Sequence, residues 1–196
     1  MLAYLHGYQS NGLSFKARHF KRVFGVNQVF CPSLSDQVPL ALNTLEQWLE
    51  TQTQPVGLIG ASLGGFYALY LADKYQVPAV LINPAIPPLA PLGDVTDQTS
   101  QDQRFIWTPE VCEALKPYFI AQLADSTLKR ILLLQQMDDE VLDPKRALSY
   151  LQGASIHRAV GGGHKFEKIS VFDQQICQFM QRQGVNASLV ASTFAG

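Results

Sequence analysis

The chain has 196 residues, 47% apolar and 16% charged, which predicts one globular domain with a sizeable core. A net charge of −1 argues against general nucleic-acid binding, and no apolar run reaches membrane-spanning length. Cys31, Cys112 and Cys177 have no metal-ligand spacing and cannot all pair, which points to a reducing, cytoplasmic setting. The first residues show no basic lead and no secretory signal.

Leu2 to Leu5 read as a short buried strand, followed by a turn-rich loop, His6-Gly7-Tyr8-Gln9-Ser10-Asn11-Gly12. A helix is expected from Ser14, with Leu13, Ala17, Phe20 and Phe24 at core spacing and Gly25 as its stop. Its Lys16, Arg18, Lys21 and Arg22 read as an outward, solvated face; attraction of an anionic acyl carrier is the alternative. Gln28 to Cys31 form a second strand. Val38, Leu42, Leu45 and Leu49 then recur at helical spacing, with Pro39 tolerable in the first turn.

Val56-Gly57-Leu58-Ile59-Gly60 is a third strand, and a helix pattern starts directly after it with Leu63, Phe66, Leu69, Tyr70 and Ala72 on one side. Between strand and helix stands Gly60-x-Ser62-x-Gly64, which in this context reads as a nucleophile elbow. The glycines leave room for close backbone approach, and the helix start aims N–H groups at the same point. Pro78 to Ile82 form a fourth strand.

Residues 84–125 break the rhythm with prolines, a polar stretch, and a helix from about Pro109 carrying Val111, Leu115, Phe119 and Leu123. A long insertion of this kind reads as a cap over the site. Phe105 and Trp107, with Phe119, are candidates for lining an acyl pocket; ordinary cap core is the alternative. Alternation then resumes with a strand at 130–135, a helix at 144–151, a strand at 155–160 and a final helix at 166–180. The expected layout is one α/β domain over 1–183 and a loose tail over 184–196. Alternating strands and helices predict a parallel sheet covered on both faces, with the site beyond the carboxyl ends of its strands.

Those ends carry His6-Gly7-Tyr8, Ser62, Asp138-Asp139-Glu140 and Gly161-Gly162-Gly163-His164. The chain order Ser, acid, His is that of α/β-hydrolases. A serine hydroxyl needs a base within hydrogen-bond reach, and the base needs an acceptor to fix its tautomer. Position after the last strand makes His164 the base. His6 is better suited to shaping the oxyanion loop, His19 is expected exposed, and His157 sits within a strand. Asp143 before Pro144 has a structural reason as a helix cap. Asp139 is the chosen acid, with Asp138 and Glu140 as alternatives. Leu63 and Tyr8 are the expected backbone donors of the oxyanion hole.

Tyr4-Leu5-His6-Gly7, Gly60 through Ala68, Val80 through Ala85, Leu134-Gln135-Gln136 with Asp139 to Asp143, and Gly161-Gly162 with His164-x-Phe166 stand in the order found in one family. The chain resembles the small bacterial YqiA/YcfP-type esterases. That resemblance implies a compact α/β-hydrolase lacking the first two strands of the full fold, with strand order 2-1-3-4-5-6. It implies hydrolysis of carboxylic acyl esters through Ser62, Asp139 and His164. Asp138 departs from the family's glycine, Ile86-Pro87-Pro88 stands where a basic residue is usual, and residues 89–124 match poorly. The expectation is a serine esterase or thioesterase acting on a small acyl ester, with no metal or organic cofactor. The alternatives are a non-catalytic binding protein on the same fold, or an amidase or peptidase using the same residues.

Overall fold

A computed structural model describes residues 1–86 and 109–190. Short aliphatic runs pair side by side as β1 (Leu2–Leu5), β2 (Val29–Phe30), β3 (Gly57–Ala61), β4 (Ala79–Ile82), β5 (Ile131–Gln136) and β6 (Ser155–Ala159). The pairs are all parallel, in the order β2-β1-β3-β4-β5-β6. Every residue of β1, β3, β4 and β5 is buried, which is why these strands read as near-continuous apolar runs rather than alternating ones, with Gln135 and Gln136 as buried polar residues at the end of β5. Successive side chains point to opposite faces. Leu58, Leu81 and Leu133 thus enter one core, while Ile59, Val80 and Leu132 enter the other.

The helices cover both faces. On one lie α2 (Val38–Glu50) and α3 (Leu63–Tyr75), with Leu42, Leu45, Phe66 and Leu71 inward. On the other lie α1 (Phe15–Phe24) and α7 (Asp173–Arg182), with Phe20, Phe24, Ile176 and Met180 inward. Between them in chain order come α4 (Pro109–Leu115), α5 (Asp125–Leu128) and α6 (Pro144–Tyr150). From β1 the chain turns to β2 on one side, and it later places β3 on the other. Strand order reverses between β1 and β3, and the crevice at such a reversal is where these sheets bind ligands.

Several elements differ from the sequence expectation for identifiable reasons. Ser14 caps α1 by accepting from the Ala17 N–H, so Leu13 precedes the helix and is 69% exposed instead of joining the core. His19 is buried, because Asp173 at the start of α7 lies opposite and pairs with it at 2.8 Å. Helix α3 is buried almost all round as far as Ala72, not on one side. Helix α4 ends at Leu115 in a 3-10 turn over Lys116–Tyr118 containing Pro117, and Phe119 is extended. Phe119 therefore packs on Tyr150 of α6, with ring centroids 5.7 Å apart.

The last helix starts at Asp173, after a 3-10 turn over Ile169–Phe172, because Phe166 sits at φ 50°. Residues 185–190, expected as loose, run back over the molecule. Val185 and Ala187 are buried, and the Val190 N–H donates to the Val23 carbonyl at 2.8 Å. The greater part of the expected cap, with Phe105 and Trp107, lies outside the described residues.

Candidate active site

Ser62 occupies the turn between β3 and α3 at φ 53°, ψ −120°, a left-handed conformation uncommon for a residue with a side chain. Such strain costs about 1–3 kcal/mol and persists only where surroundings over-determine it. Here they do. A Cβ on Gly60 would stand 2.2 Å from the Gly64 carbonyl oxygen, and one on Gly64 would stand 2.1 Å from that of Leu5. The first glycine lets α3 close on β3, and the second lets α3 start against β1. The Ser62 carbonyl accepts from Gly65 and Ala85, which anchors the turn on both sides.

His164 lies beyond β6. Its Nε2 is 3.2 Å from Ser62 Oγ, and its Nδ1 is 3.0 and 2.9 Å from the two Asp139 carboxylate oxygens. With the carboxylate facing Nδ1, that nitrogen carries the proton and Nε2 is left to accept from the serine hydroxyl. The Asp139 side chain is wholly buried; its Oδ1 also accepts from the Val141 and Leu142 N–H groups at 2.9 Å. These bonds turn the carboxylate back toward His164.

The first strand's loop faces the same crevice. A Cβ on Gly7 would meet Ser62 Cβ at 3.2 Å, so the loop passes close over the serine. His6 is buried behind it. Its Nε2 accepts from the Leu34 N–H at 2.9 Å, and its Nδ1 donates to the Gly7 carbonyl at 2.8 Å. This pairing fits the neutral ring, and burial lowers its pKa from the usual imidazole value, more than the Gly7 carbonyl and Asp36 raise it. Leu63 opens α3, so its N–H has no acceptor within the helix. Tyr8 lies in the loop opposite and lines the cleft with Gly7 and Ser62.

A family model described as an uncharacterised protein family, UPF0227, matches residues 1–181. The chain belongs to that family, the YqiA/YcfP group. Solved structures share its fold. Alpha/beta hydrolase domain-containing protein 10 from mouse is 16% identical with a TM-score of 0.73, covering 92% of this chain and 89% of that one. Est1E from Butyrivibrio proteoclasticus, solved with ferulic acid, is 12% identical with a TM-score of 0.67, covering 93% and 88%. A monoacylglycerol lipase from Paleococcus ferrophilus is 16% identical with a TM-score of 0.64, covering 93% and 94%. This UPF0227 member therefore has the α/β-hydrolase fold.

Three residues of this family member have roles at the site that were not assigned from the sequence. Asp138 Oδ2 accepts from the N–H groups of Gly161 at 2.9 Å and Gly163 at 3.4 Å. Glu140 Oε2 accepts from the His164 N–H at 2.9 Å. Asn83, buried at φ 41° after β4, donates through Nδ2 to the carbonyls of Gly163 and His164 at 3.0 and 3.1 Å. Its Oδ1 accepts from the Gln136 N–H at 2.8 Å, tying the loop to the end of β5. The two reserve acids thus grip the backbone that carries the imidazole, while Asp139 alone of the three reaches the ring. Available signals were the unbroken acid triplet and an asparagine, a residue tolerant of positive φ, directly after a strand.

The crevice opens into a cleft of about 570 Å³ that includes Ser62 and His164. Tyr4, Phe15, Ala61 and Ile82 give it apolar walls. Among the described residues no three His, Cys, Asp or Glu side chains gather to hold a metal ion, and no helix is long and apolar enough to cross a membrane.

Proposed function

We propose that this protein is a serine hydrolase that cleaves carboxylic acyl esters or thioesters through an acyl-enzyme on Ser62. The observation that carries this reading is the 3.2 Å contact between Ser62 Oγ and His164 Nε2 at a strand-to-helix elbow, with the Asp139 carboxylate on the far side of the ring. Ser62 Oγ attacks the acyl carbonyl carbon as His164 Nε2 takes its proton. Asp139 holds the Nδ1–H tautomer and stabilises the imidazolium. The N–H groups of Leu63 and Tyr8 receive the oxyanion, an interaction whose loss typically costs about a hundred- to a thousandfold in rate. Collapse of the tetrahedral intermediate breaks the bond to the leaving alcohol or thiol, which takes the proton from His164. Water, deprotonated by the same nitrogen, then attacks the acyl carbon and frees Ser62.

The cleft supports an acyl substrate: its volume is in the range of small-molecule sites, and its walls are mostly apolar. The fold relatives, among them a protein named as a lipase and one solved with ferulic acid, are consistent with this chemistry. A fluorophosphonate probe tests it directly. The wild-type protein should be labelled on Ser62, and Ser62→Ala should abolish labelling and lower ester turnover at least about a thousandfold. Absence of labelling in the wild type, or equal labelling in the variant, would reject the reading in favour of a binding role.

A further inference from the structure

Of the basic residues on α1, Lys16 stands apart. Arg18 turns back to the Leu13 carbonyl at 2.8 Å, and Arg22 approaches His19. Lys16 instead lines the cleft that includes Ser62 and His164, half-buried beside Phe15. Its Nζ donates to the carbonyl of Lys165, the residue after the histidine, at 2.5 Å. Lys165 and Glu167 line the same cleft and are exposed. Among the described residues neither lysine forms an ion pair with a carboxylate, Glu167 included.

A half-buried ammonium without a counter-ion is costly, because burial strips water from the charge. One carbonyl satisfies one of its three donors. A cation held this way in the cleft that includes the nucleophile, without a paired carboxylate, is an arrangement that an anionic ligand completes. Resting on the esterase reading above, we infer that Lys16 selects esters bearing a second, anionic group, a carboxylate or a phosphate, that reaches its ammonium when the acyl carbonyl is at Ser62. Burial pulls the Lys16 pKa down to about 8, and an anion at its side would favour the charged form. The anion can belong to either half of the substrate. A carboxylate would sit at the far end of the acyl group, and a phosphate on the alcohol.

Three esters separate these possibilities: propyl butyrate, neutral; monopropyl succinate, with a carboxylate on the acyl side; and the butyrate ester of 3-hydroxypropyl phosphate. The measurement is the ratio of kcat/KM for each anionic ester to that for propyl butyrate, within each protein. Lys16 also holds the backbone next to His164, and loss of that support would slow all three esters alike, leaving the ratio unmoved. The wild type should favour at least one anionic ester. Lys16→Gln should lower that ratio about ten- to a hundredfold, the worth of a charge-assisted hydrogen bond, while Lys16→Arg should retain most of it. Lys21→Gln, on the same helix but outside the cleft, should leave it unchanged. A wild type with no preference for either anion, or a ratio that survives Lys16→Gln, overturns the inference.

Binding to the Ser62→Ala variant, followed by ligand-observed NMR, gives a reading independent of turnover. There monopropyl succinate or the phosphate ester should bind more tightly than propyl butyrate, and adding Lys16→Gln should remove the difference. Failure of every ester to turn over, with that binding difference present, would reject the esterase reading and keep the anion site. Turnover of propyl butyrate with no anion effect would do the reverse.

Discussion

Ser62 and His164 meet at 3.2 Å but are held there in different ways. The serine's supports are steric and mostly local. Gly60 and Gly64 flank it in sequence, and the missing Cβ atoms let β1, β3 and α3 touch through backbone. The histidine's supports are polar and come from elsewhere: Asp138, Asp139 and Glu140 after β5, and Asn83 after β4. A close-packed backbone contact admits no adjustment. A hydrogen-bonded loop can lose one partner and shift by a fraction of an ångström. Damage on the serine side should therefore appear as loss of fold, and damage on the histidine side as loss of rate in a folded protein.

The hardest test of this contrast is Gly64→Ala. The added methyl would fall 2.1 Å from the Leu5 carbonyl oxygen and 2.6 Å from that of His6, both backbone atoms. The expected outcome is insoluble protein or a Tm lowered by at least about 10 °C, since overpacking a rigid contact costs several kcal/mol. A melting curve close to wild type would show that β1 and α3 are not locked together.

Asp139→Asn probes the other side. The amide oxygen can still accept from Val141 and Leu142, so the turn should survive and Tm should move by only a few degrees. The amide group cannot hold the Nδ1–H tautomer. Activity on a simple ester should fall roughly ten-thousandfold. If Asp138→Asn produced the larger loss instead, the orienting acid would be the other carboxylate.

Smaller effects should follow from loosening the loop. Asp138→Ala removes the acceptor for Gly161 and Gly163, and Glu140→Ala removes the acceptor for the His164 N–H. Each should lower kcat by about ten- to a hundredfold with little change in KM, because the misplacement affects the base and not the cleft walls. A change confined to KM would mean that these carboxylates face the substrate rather than the loop.

The same contrast explains what could be read from the chain. The elbow was legible because its requirements are contiguous: an apolar strand, Gly-x-Ser-x-Gly and a helix start within one stretch. A parallel sheet covered on both faces was legible from alternation, and the chain order serine, acid, histidine from the residues at its strand ends; the strand order followed only from the family resemblance. The jobs of Asp138, Glu140 and Asn83 were not. Asp139 can be chosen as the orienting acid from its place in the turn, but what its two neighbours do depends on the path of residues 161–164, set by Gly161 at φ 82° and Gly163 at φ 52°, which decides which atoms each can reach. Lys16 and His19 defeated the helical-face reading in a similar way. Both sit on a basic stretch of α1, yet His19 turns to α7 and Lys16 to the cleft. Which side of an amphipathic helix is buried depends on neighbours far away in sequence, here Asp173 and the loop around Lys165.

One titratable group sits among the steric supports of the serine side, and it predicts a weak point there. His6 keeps Nε2 unprotonated to accept from Leu34, and burial holds its pKa below the ordinary 6.5. Protonation would turn that nitrogen into a second donor facing the Leu34 N–H. Because the folded-state pKa is depressed, the unfolded chain binds the proton first as pH drops. The stabilisation is complete above the ordinary imidazole range and is lost as pH falls from there through the folded-state value. The wild type should therefore lose more Tm between pH 7.5 and pH 5.5 than His6→Gln, which cannot titrate in that interval. The variant should start lower, having exchanged a fitted ring for an amide. Parallel Tm curves for the two proteins would mean that the contacts of His6 survive its protonation, and that the loop over Ser62 is held by packing alone.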